Sequence, residues 1–175
     1  GGERAVTSWD EDSLTMGVEA GLDCLVGFDP KEMDGLCFAT VSSPFKEKQA
    51  AALIASILDL RRDVYTSDFT GSLRAGTAAV KAACDGIKAG TMKKVLVIAS
   101  DARKAEPRSD AEQTFGDGAA ALMIGKKEDA IAEVEDFVSV VDPIPGPWKR
   151  AEDPYLKVFD VRLDARYGVM KDISQ

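Results

Sequence analysis

Apolar residues open the chain at helical spacing. Leu14, Val18, Leu22 and Leu25 follow at intervals of four, four and three, which predicts a helix over 10–27 with these four on its inner face. Asp10, Glu11, Asp12 and Ser13 put acids and a cap at its start, and Gly27 with Pro30 beyond it marks the end. The pattern then becomes a short continuous run, Gly35-Leu36-Cys37-Phe38-Ala39-Thr40-Val41, stopped by Ser42-Ser43-Pro44, as in a buried strand. Helical spacing returns over 46–60 through Ala50, Leu53, Ile54, Ile57, Leu58 and Leu60. Val64-Tyr65-Thr66-Ser67 is β-branched and aromatic and predicts a strand. Gly71-Ser72 then turns the chain into a helix reaching about Ala89, with Leu73, Thr77, Val80, Cys84 and Ile87 expected to share its core face. Val95 to Ala99 reads as a strand buried on both sides. Residues 101–114 read as a charged loop or irregular helix, and Phe115-Gly116-Asp117-Gly118 as a turn. Ala119–Ile124 is expected to be a strand, and the alternation over 132–141 predicts another, facing solvent.

Strands alternating with helices indicate an α/β layered sheet, mostly parallel. Residues 1–141 are expected to form that domain. Residues 142–175 carry Pro143, Pro145, Pro147, Trp148, Tyr155, Phe159 and Tyr167 without a clear period, and read as an excursion from the core. The full 175 residues suffice to bury a core without a disulfide or metal staple. Twenty-two basic against thirty acidic side chains give a net charge of −8, with no basic block, which argues against nucleic acid as a partner. No apolar run is long enough to span a membrane. The three cysteines form no CxxC pair and are expected to be buried thiols in a reducing cytoplasm. Histidine is absent, so this chain alone offers no Ser-His-Asp triad, no Cys-His dyad and no histidine metal ligand. No metal and no covalently held cofactor are expected. The chain starts Gly1-Gly2 rather than with Met, as a tag remnant, a processed terminus or a fragment of a longer protein would.

Chemistry, if present, belongs at residues 64–90, where a strand enters the Gly71-Ser72 turn and feeds a helix beginning with small residues. A helix start of this kind offers free backbone N–H groups to an anion or an activated thiol. It is equally an ordinary βα turn, with glycine present for its conformational freedom. Ser72 is a weak nucleophile candidate, because no histidine is available to deprotonate it.

Tyr65-Thr66-Ser67-Asp68, Arg74-Ala75-Gly76-Thr77-Ala78-Ala79 and Gly116-Asp117-Gly118-Ala119-Ala120-Ala121 together resemble the thiolase superfamily of condensing enzymes. The opening stretch from Gly2 to Ser13 narrows the resemblance to archaeal and bacterial 3-hydroxy-3-methylglutaryl-CoA (HMG-CoA) synthases, which are similar to ketoacyl-carrier-protein synthase III. The resemblance implies a βαβαβαββ half-domain with helices on both faces, without its opening strand, from a protein of two such halves. The family's catalytic His lies in the other half. The resemblance also implies two departures. The nucleophilic Cys of these enzymes falls five residues after the Asp matching Asp68, where this chain has Leu73. Their general acid/base Glu falls at Val41 when the chains are aligned on Ser42 and Pro44. Cys84 cannot replace the thiol, lying eleven residues on, about 16 Å along a helix. As part of the helix, Leu73 is expected to be a core leucine. Asp117 is expected to bond local amides, with Gly116 and Gly118 shaping the turn.

Two readings compete. In one, the chain is part of an acyl-CoA-handling condensing protein that does not pass through an acyl-cysteine. In the other, it is a non-catalytic acyl-CoA-binding or scaffolding partner of a thiolase or of a zinc-ribbon OB-fold protein. Either implies a homodimer and association with the missing half.

Overall fold

The computed structural model describes residues 3–144, 146–158 and 160–173. Its core is a four-stranded sheet in the order β2-β1-β3-β4, where β1 is Gly35–Ala39, β2 Tyr65–Phe69, β3 Val95–Asp101 and β4 Gly118–Ile124. Strand β1 runs parallel to both β2 and β3, and β4 is antiparallel to β3. The principal helices are α1 (Ser13–Cys24), α2 (Ala50–Ile57), α3 (Ala75–Lys88) and the short α4 (Asp110–Thr114). The chain is thus α/β with a mixed sheet and helices on both faces, as the sequence pattern predicts.

Strand order decides which face each helix takes. From β1 the chain moves one way to β2; from β2 it moves back past β1 to β3. Parallel crossovers are right-handed, so two steps in opposite directions place α2 and α3 on opposite faces. The side chains agree. Leu36, Phe38, Leu96 and Ile98 pack with α1 and α2, whereas Cys37, Ala39, Val95 and Val97 pack with α3.

Small residues join the predicted large ones on the inner faces of α1 and α3: Leu14, Leu25 and Cys84 are buried and Val18, Val80 and Ile87 pack on the core, but the closest approach is made by glycines and alanines. On α1, Leu14 is buried but Leu22 is 49% exposed, and Gly17 and Gly21 face the sheet instead. A Cβ on Gly17 would stand 3.0 Å from the Phe38 ring, and one on Gly21 would stand 2.8 Å from Leu58. The helix backbone itself is therefore the packing surface. On α3 the inner stripe is Ala75, Ala79 and Ala83 with Cys84, while Val80 and Ile87 flank it and Thr77 faces solvent. Methyl-sized side chains let α3 settle close to the alternating face of β1 and β3.

The predicted strand over 132–141 does not form. Its side chains are mostly exposed, and β4 has no ladder partner beyond β3 among the described residues. The outer edge of β4 is open, but the alternating side chains of 132–141 have no core face to cover, and alternation without one does not hold a strand in register.

The described chain divides into two compact units. One comprises residues 3–102 and 116–133, the other 103–115 and the stretch from 134 onward. In the second unit the Leu156 amide donates to the Lys104 carbonyl, and Trp148 and Lys157 exchange two backbone hydrogen bonds of 2.9 Å each. The Lys157 ammonium and the Arg150 guanidinium both lie over the Trp148 ring, 5.0 and 5.6 Å from its centroid. The unit ends in short helical turns, Val161–Asp164, Ala165–Val169 and Met170–Ile173. Among the described residues, no helix is long and apolar enough to cross a membrane.

Candidate functional site at the carboxyl ends of β1 and β2

Neighbouring strands whose following helices lie on opposite faces leave a crevice between their carboxyl ends. Here those strands are β1, which leads to α2, and β2, which leads to α3. A cleft of about 340 Å³ occupies that point, with Val41, Lys46, Lys48, Asp68, Thr70 and Gly71 on its lining. The topology thus brings Val41, at the exit of β1, and Gly71, at the exit of β2, to one site.

Both walls are held by carboxylates. On the β2 side, Asp68 Oδ2 accepts from the Ala50 amide and Oδ1 from the Ala51 amide, each at 2.7 Å. Helix α2 has no side-chain cap of its own at Gln49, so its free N–H groups are capped from the neighbouring strand. Gln49 adds a second tie: its amide nitrogen donates to the Thr66 carbonyl at 2.9 Å, and the Thr66 hydroxyl donates back at 3.0 Å. On the β1 side, Asp101 at the end of β3 accepts through Oδ1 from the Thr40 hydroxyl, the Val41 amide and the Ser42 hydroxyl, at 3.0, 2.8 and 2.8 Å. Ser42 Oγ also accepts from the Ala102 amide at 2.9 Å. The backbone at Val41 is therefore fixed although its side chain carries no titratable group.

Leu73 departs from expectation. It precedes α3 instead of forming part of it, and it is 59% exposed, so it is no core leucine. Gly71, at φ 75°, turns the chain there, and the bend takes Leu73 out of the helical register that would have buried it. Ser72 lies in the same exposed turn, where its Oγ accepts from the Arg74 amide at 3.2 Å. The cysteines lie elsewhere. Burial pushes the Cys37 thiol, in the middle of β1, up to about 11, and raises those of Cys84 and Cys24 as well. None has the electropositive, accessible setting that activates a thiol.

Asp117 also departs from the local-turn expectation. Its Oδ2 accepts from the Thr7 amide at 2.9 Å and the Thr7 hydroxyl at 3.2 Å, and its own amide donates to the Ala5 carbonyl at 3.0 Å. It ties the start of β4 to a segment far away in sequence. Gly116 lies against the same segment, 3.5 Å separating its Cβ position from the Ala5 carbonyl oxygen. A third turn position, Gly118, is the first residue of β4.

Comparison with known proteins fits this geometry. The family profile of 3-oxoacyl-[acyl-carrier-protein] synthase III matches residues 68–143. The hydroxymethylglutaryl-CoA synthase of Pyrococcus horikoshii is 33% identical over 156 residues, covering 87% of this chain and 45% of that protein. The chain is thus similar to part of these thiolase-like condensing enzymes, over most of its own length and less than half of theirs. Among solved structures, MvaS in complex with 3-hydroxy-3-methylglutaryl coenzyme A aligns with a TM-score of 0.79 at 25% identity, over 94% of this chain and 40% of that one. An HMG-CoA synthase complexed with CoA aligns with a TM-score of 0.83 at 21% identity, over 93% of this chain and 42% of that one, a likeness of fold alone. The chain spans somewhat less than half the length of the curated relatives it matches.

Asp101, Lys46 and Lys48 had no place in the sequence-based site. Asp101 carried a usable signal as the first acid after a fully apolar strand, at the strand end where α/β sheets place ligands. The lysines carried none.

Proposed function

We propose that this chain is the amino-terminal half-domain of an HMG-CoA-synthase-like condensing protein that handles acyl-CoA without forming an acyl-enzyme on this half. The observation that carries the reading is Leu73. Covalent thioester transfer needs an accessible thiolate at the start of the helix after β2, a group to manage its proton and donors for the oxyanion. The resemblance places the thiol at Leu73 and the acid/base at Val41, and neither side chain has the chemistry. The buried thiols of Cys37 and Cys84 and the half-buried one of Cys24, all raised by burial and away from the cleft lining, offer no substitute. What remains is the crevice and its two braced walls, which suit non-covalent binding. The free cysteines are in keeping with a reducing cytoplasm.

The test is incubation with acetyl-CoA or acetoacetyl-CoA followed by intact mass measurement, with calorimetric titration of coenzyme A alongside. Unchanged mass with measurable binding is the expected result. A stable acyl adduct would overturn the reading and point to Ser72. Strand β2 forms one edge of the sheet, with Tyr65 54% exposed, and we place a homodimer contact there. Light scattering at micromolar concentration should give twice the chain mass.

A further inference from the structure

No further inference is drawn: the strongest candidate, the groove between α1 and the outer edge of β4, lined by the acids Asp10, Glu11, Glu19 and Asp23 and by Ala119, Ala120 and Ala121, is an acidic rim beside a small-residue strand edge, and nothing in the structure shows what covers it.

Discussion

Removing the Asp68 carboxylate tests whether the residue acts through structure or through chemistry. Asp68→Ala deletes both acceptors at the start of α2 and leaves the amides of Ala50 and Ala51 without partners. Both alanines are fully buried, so water cannot readily take the carboxylate's place. Losing a helix cap costs about 1–2 kcal/mol, and stranding a donor of a charge-assisted bond adds a comparable amount, so a total of about 2–3 kcal/mol is expected. For a chain of this size that corresponds to a fall in Tm of about 5–10 °C. Asp68→Asn keeps one oxygen acceptor but turns an NH2 group toward the second amide, and should lose about half as much. Urea unfolding followed by circular dichroism measures both variants, with an unchanged m-value as the check that the folded state is the same. An Ala variant within about 0.5 kcal/mol of the wild type would refute the capping argument.

Asp34 makes stability depend on acid. Its carboxyl is held below the usual range by the Lys93 amide, with the Lys94 amide and the Arg61 guanidinium adding to the effect against the opposing cost of burial. The unfolded chain therefore takes up this proton first, so the stabilisation is complete above about pH 4 and is lost as pH falls through that value toward the folded pKa; Asp34→Asn should flatten the pH dependence of urea unfolding in that window. Cys37, with its thiol pushed up to about 11 inside the sheet, should resist iodoacetamide at pH 8 in the folded chain and react only on unfolding, as peptide mapping after a short pulse would reveal. Early labelling of Cys37 would contradict its buried placement. Asp117→Ala should release the tie to Thr7, raising amide exchange at Thr7 at least about tenfold while global stability changes by only about 1 kcal/mol.

Periodicity alone determined the existence, type and order of the main elements of the sheet domain. A switch from spacing of about 3.6 to a short apolar run is a local property, written into residues that are neighbours in sequence. It located β1, β2, β3 and β4 to within a few residues and announced the Gly71 turn. The same residues, through the family resemblance, marked Leu73 and Val41 as positions of interest. Other features depended on which elements meet. The inner faces of α1 and α3 are set by glycines and alanines, because the sheet demands close approach, and a pattern of large apolar residues cannot register that demand. Leu73 became a surface residue because one glycine with positive φ broke the helical register ahead of it. Asp68 became a cap, Asp101 a brace and Asp117 a tie because their partners lie 17 or more residues away along the chain. The strand over 132–141 did not form because alternation states which side chains would share a face, while only the assembled fold decides whether a core is there to receive that face.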